Sequence, residues 1–153
     1  MRFTFSLFPS LLAVTLASTA TVAALGCSEA SRFGDLTVTP ATLAPGDAFT
    51  VNVDLTCAAD LGYLPTYMDY YIEVLTNNNG HELPILLARR TFAPVAGASP
   101  SDTLITELPP WTYFEHAQYS VVFIDSFARL GPNNNTVIIA GEVSASINIT
   151  GGI

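Results

Sequence analysis

The chain reads as all-β, a single antiparallel sandwich of seven to eight strands. Three observations predict this. Apolar and polar residues alternate with period two through most of the chain, the signature of half-buried strands. Turn chemistry rich in Pro, Gly and Asn punctuates those stretches at short intervals. No segment carries a convincing helical period. The chain has 153 residues, half of them apolar and only 12% charged, which is compatible with one folded domain and not with disorder.

The elements follow in order. Asp35–Pro40 sets Leu36 and Val38 against Thr37 and Thr39. Ala44-Pro45-Gly46-Asp47 is a turn. Ala48–Cys57 is the cleanest strand, with Phe49, Val51, Val53, Leu55 and Cys57 on one face and Thr50, Asn52, Asp54 and Thr56 on the other. Tyr67–Thr76 sets Met68, Tyr70, Ile72 and Val74 inward and Tyr67, Asp69, Tyr71 and Glu73 outward. Asn77-Asn78-Asn79-Gly80 makes a hairpin turn, because Asn and Gly tolerate positive φ. The return strand spans Glu82–Phe92, and Pro84 within it predicts a sheet edge. Ala93–Ser101 is a loop, Thr103–Leu108 a short strand, and Pro109-Pro110 stops it. Gln118–Phe127 is apolar on both faces and reads as a central strand. Gly131–Asn135 turns the chain into Thr136–Ile149, with Gly141 as a bulge or break and Val143, Ala145, Ile147 and Ile149 facing the core. This layout predicts an immunoglobulin-like sandwich, with a jelly roll as the alternative.

The hairpin centred on Asn78-Asn79 predicts a register in which paired residue numbers sum to a constant. Tyr67 then faces Arg90, Asp69 faces Ala88, Tyr71 faces Leu86 and Glu73 faces Pro84, all outward. Tyr70 meets Leu87, Ile72 meets Ile85 and Val74 meets Leu83 inside. A patch of Tyr67, Tyr71, Leu86 and Arg90 follows as a candidate partner surface.

Residues 1–26 read as a secretory signal peptide and 27–153 as the sandwich domain. Met1-Arg2 is a positive start, Phe3–Leu25 carries no charge, and Ser18, Ala20, Ala23, Ala24 and Gly26 supply small residues for cleavage after Ala20, Ala24 or Gly26. A membrane anchor is disfavoured by Pro9 and the many Ser and Thr residues, and a lipoprotein reading at Cys27 by the lone arginine. The expected location is extracellular, with no membrane association once the signal is removed. In an oxidising compartment Cys27 and Cys57 are expected to form one structural disulfide. Asn134-Asn135-Thr136 and Asn148-Ile149-Thr150 are sequons, so Asn134 and Asn148 are glycosylation candidates.

Two stretches carry a resemblance. One runs from Leu36-Thr37-Val38-Thr39-Pro40 to Pro45-Gly46-Asp47-Ala48-Phe49-Thr50-Val51. The other joins Tyr119-Ser120-Val121-Val122-Phe123 with Ser144–Ile149. The domain resembles small secreted immunoglobulin-like proteins of mushroom-forming fungi, and is loosely similar to cell-wall modules of the Kre9/Knh1 type. Those fungal proteins mostly have no assigned activity, and the resemblance implies a small secreted sandwich domain.

Net charge is −8, with no lysine. Without Arg2 it is −9, four arginines against thirteen carboxylates. Such a balance excludes nucleic acid and anionic membranes as expected partners, because both require clustered cations. No Gly-rich nucleotide loop and no Gly-x-Ser-x-Gly nucleophile motif occurs. His81-Glu82 and Glu115-His116, with Asp69, would make a metal site only if the fold assembled one, since neither pair has ligand spacing. No catalytic residue, metal or cofactor is therefore expected. Exposed aromatics remain: Tyr67 and Tyr71 on a strand, Trp111 and Tyr113 after the proline pair. These favour surface binding to a protein or a polysaccharide, at a cell wall or host surface. A carbohydrate-binding module is the second reading and an enzyme with a fold-assembled site the third.

Overall fold

The computed structural model describes residues 26–78 and 80–153. The expected signal segment falls in 1–25, apart from Gly26, and lies outside the described residues. The fold is all-β. One antiparallel sheet has the order β1 (Asp35–Thr39), β3 (Ala48–Asp54), β6 (Ser101–Glu107). The other has the order β5 (Ile85–Thr91), β4 (Tyr67–Val74), β7 (Tyr119–Leu130), β8 (Thr136–Ser146). Two short strands, β2 (Thr42–Leu43) and β9 (Asn148–Ile149), pair in parallel at the margin.

The two sheets share one core, and the period-two pattern decides its members. Leu36, Phe49, Val51, Val53 and Leu104 of the first sheet pack with Met68, Tyr70, Ile72, Val121 and Phe123 of the second. Each fully buried side chain of this size contributes roughly 1.5–3 kcal/mol relative to exposure. As predicted, β5 is an edge and β7 is central. Val122 is fully buried on the outer face of β7, where its ladder partner on β4 is Tyr71.

Four expectations need correction. First, the second predicted strand does not reach Cys57. The Asp54 carboxylate accepts from the Thr56 backbone N–H at 2.8 Å and turns the chain into a short helix, α1 (Thr56–Asp60). Those bonds hold the Asp54 carboxyl below its usual range. Cys57 is helical and still meets Cys27 in a disulfide, with Cα atoms 5.6 Å apart. Second, Pro84 lies outside β5, which begins at Ile85.

Third, the β4–β5 register follows the prediction only near the turn. Tyr71 faces Leu86 and Ile72 faces Ile85, but a bulge then shifts the ladder by one. Tyr70 faces Ala88, Asp69 faces Arg89, Met68 faces Arg90 and Tyr67 faces Thr91. Leu87 is the extra residue, and both Leu87 and Ala88 pack against the core. The shift turns Arg90 inward, where it bonds Asp102 of the opposite sheet at 3.1 Å and lies 5.5 Å from the Tyr70 ring centre. The buried Tyr70 hydroxyl donates to the same carboxylate. Arg89 takes the outward place and holds Asp69 through two bonds of 2.7 and 2.9 Å.

Fourth, Gly141 is neither bulge nor break, because the β7–β8 ladder is regular from Ser120↔Ser146 to Leu130↔Thr136. A Cβ at Gly141 would stand 2.4 Å from the Phe33 ring, so glycine is required for close packing. Gly141→Ala is expected to lower stability by about 1–3 kcal/mol, as overpacking does. A denaturant midpoint equal to wild type would show that Phe33 moves aside freely.

Candidate functional site

Three cavities gather at the end of the sandwich where β4 leads into β5 and β6 into β7. The segment 75–84 folds back through Asn78, whose side chain accepts from the Glu82 N–H at 2.6 Å and donates to its carbonyl at 2.8 Å. The segment 108–118 is fixed from below. Tyr113 is buried, stacks edge-on against Tyr119 at 5.3 Å and donates its hydroxyl to the Pro109 carbonyl at 2.9 Å. The Tyr119 hydroxyl accepts from the Phe114 N–H at 3.0 Å. Burial and the neighbouring Tyr119 push the Tyr113 hydroxyl up to about 12. The two segments latch where the Thr76 hydroxyl donates to the Gln118 side chain at 2.8 Å.

Between them lies a cavity of about 380 Å³, within the usual size of small-ligand sites. Asn77, Asn78, His81, Glu82, His116 and Gln118 supply its polar lining, and Phe114 and Val74 its apolar wall. Amide, imidazole and carboxylate groups together offer donors and acceptors suited to a hydroxyl-rich ligand. His116 is held at φ +67° and Asn77 at φ +57°, left-handed conformations that cost a non-glycine residue free energy. A second cavity, about 520 Å³, shares Phe114, His116, Ala117 and Gln118 and continues to Ser146–Ile149. A third, about 320 Å³ and apolar, lies between Leu83-Pro84-Ile85 and Pro109-Pro110-Trp111. Trp111 is 66% exposed, Phe114 50% and Leu83 79%.

The sequence-predicted residues divide. Trp111 is exposed and does not plug the end of the sandwich, whereas Tyr113 is a buried support and presents no face to a ligand. Tyr67 and Leu86 are exposed on the outer sheet face with half-buried Tyr71, but Arg90 leaves that patch for the interior. His81 and His116 meet in one cavity, while Asp69 is elsewhere, bound to Arg89. Among the described residues no group of three or more His, Cys, Asp or Glu is placed to hold a metal. Asn134 and Asn148 are both exposed. Among the described residues no helix is long and apolar enough to cross a membrane.

Two features were missed. Phe114 and Gln118 attracted no notice in the sequence, since neither belongs to a spacing motif. Asp125 had a readable signal: a carboxylate inside a strand otherwise apolar on both faces. It is fully buried, and neither side-chain oxygen has a hydrogen-bond partner among the described residues. Burial pushes its carboxyl up to about 7. Comparison with protein-family models and with curated proteins finds no match.

Proposed function

We propose that this protein is a secreted, non-enzymatic binding module that engages a neutral saccharide at the loop end of an immunoglobulin-like sandwich. One observation carries the reading. Exposed Phe114 lines a cavity whose polar lining includes amides, imidazoles, a hydroxyl and a carboxylate, and exposed Trp111 lines a second, apolar cavity formed by the same two segments. Aromatic faces pack on the apolar faces of sugar rings, while the planar polar groups exchange hydrogen bonds with ring hydroxyls. The mature net charge of −9 favours an uncharged glycan over an acidic one. The order β1-β3-β6 against β5-β4-β7-β8 supports an immunoglobulin-like arrangement over a jelly roll, which builds two four-stranded sheets. The disulfide is compatible with secretion.

The test is retention on insoluble chitin and β-glucan, followed by titration with the matching oligosaccharides. Trp111→Ala and Phe114→Ala should each weaken binding about tenfold or more, since loss of an aromatic platform is worth at least 1.4 kcal/mol at such sites. Both side chains are at least half exposed, so neither substitution opens the core. Retention unchanged by both substitutions, or none by wild type on either polymer, defeats the proposal. A second reading assigns a protein partner to the outer face of the four-stranded sheet, favoured by exposed Tyr67 and Leu86 in adjacent strands. Tyr67→Ala and Leu86→Ala together separate the two, because they leave the loop end untouched.

A further inference from the structure

Eight residues along β7 from Tyr119, about 26 Å at a strand's rise per residue, the sandwich ends in a differently built surface. β4 accompanies β7 only as far as Ser126, while the β7–β8 ladder continues to Leu130↔Thr136. Aromatic side chains from two loops cover this overhang. Tyr63 stacks on Phe127 at 5.0 Å, and Phe33 lies 5.7 Å from Tyr63 and 6.1 Å from Phe127. Arg129, the next residue on the Phe127 side of the strand, places its guanidinium 4.8 Å over Tyr63. Arg32 places its own 4.7 Å over Phe33. These five side chains and Ile139 line an open cavity of about 280 Å³, close to the lower bound of small-molecule sites.

The site is built rather than incidental. Phe33 rests on Gly141, which only glycine permits. The Cys27–Cys57 disulfide anchors the segment that carries Arg32 and Phe33 to the helix that precedes Tyr63. Half of the four arginines after residue 26 are found here. Arg89 and Arg90 are held by Asp69 and Asp102, and Arg32 pairs with Glu29. Among the described residues Arg129 is the one arginine without a carboxylate partner. A guanidinium stacked by its face keeps its N–H edge free, and that edge matches a carboxylate in a bidentate fork.

We propose that this cavity binds a small aromatic carboxylate. Its ring lies in the cavity against Phe33, Tyr63, Phe127 and Ile139, and its carboxylate meets the edge of Arg129, with Arg32 as the second cation. Polyanions fit poorly, because two arginines in a chain of net charge −9 neutralise one anionic group and not a row of them.

The experiment titrates 2-naphthoate into the disulfide-bonded protein by calorimetry, with 2-naphthalenemethanol as the uncharged control. One site is expected, with the alcohol at least tenfold weaker. Arg129→Ala should lose tenfold or more, and Arg129→Lys should recover part of it. Glu29→Gln frees Arg32 and should tighten binding severalfold. Trp111→Ala, at the far end, should change nothing, which separates this site from the saccharide reading. Arg129→Gln serves as the second cation-removing variant should the alanine form unfold. No heat at millimolar 2-naphthoate, equal affinity for the alcohol, or unchanged affinity in either cation-removing variant overturns the proposal.

Discussion

Replacing Asp125 with asparagine should raise the thermal midpoint at pH 8 by on the order of 10 °C and leave it almost unchanged at pH 4. The carboxylate stands on the inner side of β7, where its ladder partners are Met68 and Gly141 and its neighbours along that face are Phe123 and Phe127. Among the described residues nothing offers it a hydrogen bond, so burial disfavours the charged form in the folded state. Its folded pKa, about 7, lies above its ordinary value of 3.8. The sign follows from linkage. The folded state retains the proton more tightly than the unfolded chain, so stability is full below about pH 4. It declines as pH rises through the folded pKa and is lowest above it. Raising the pKa from 3.8 to about 7 amounts to about 4 kcal/mol. Asparagine carries no charge at any pH and avoids this loss. Asp54, whose pKa is lowered, acts oppositely and weakens the protein as pH falls, in wild type and variant alike. The difference between the two curves therefore isolates Asp125. Parallel curves from pH 4 to 8 would mean that this carboxylate reaches solvent or a proton donor.

Removing the disulfide should have an effect of similar size. Cys27→Ser with Cys57→Ser opens a loop of 30 residues' separation and should lower stability by about 3–4 kcal/mol in the chain-entropy model. Intact mass of the native protein should show two hydrogens fewer than the reduced chain. Two free thiols in the unreduced protein would refute the bridge as a solution feature. The double variant should also lose 2-naphthoate affinity, because the segment bearing Arg32 and Phe33 is then tied down only by packing.

The strands were legible because one face of each is buried, and burial writes period two into the residues. Phe49, Val51 and Val53 in β3, and Met68, Tyr70, Ile72 and Val74 in β4, lie where the alternation puts them. The same signal carried too far at Cys57. Leu55 and Cys57 are two apart in a strand and also at the start of a helix, and only the Asp54–Thr56 bond decides between them. The hairpin register was legible for as long as the turn governs it. The bulge at Leu87 is set instead by packing, and it decides which of two adjacent arginines faces solvent. Arg89 and Arg90 are chemically identical in the sequence, yet one grips an exposed carboxylate and the other spans the sheets.

The site was less legible still. Composition and charge give an expectation about partners but no position for a site, since net charge depends on no coordinate. Trp111 was identifiable because proline residues before it deny it a place in a strand. That Tyr113, two residues on, is a buried prop follows from its contact with Tyr119 and Pro109. That His81 and His116 share one cavity follows from a latch between Thr76 and Gln118. The arginine and aromatic cluster joins Phe33, Tyr63 and Phe127 from three distant parts of the chain. The sequence by itself therefore determined the β architecture, the staple and the sign of the surface, all of which arise from local periodicity or from sums over residues. Which side chains stand together was decided by the tertiary structure alone, because loop ends and overhangs are placed by contacts between segments far apart in sequence, and such contacts leave no period to read.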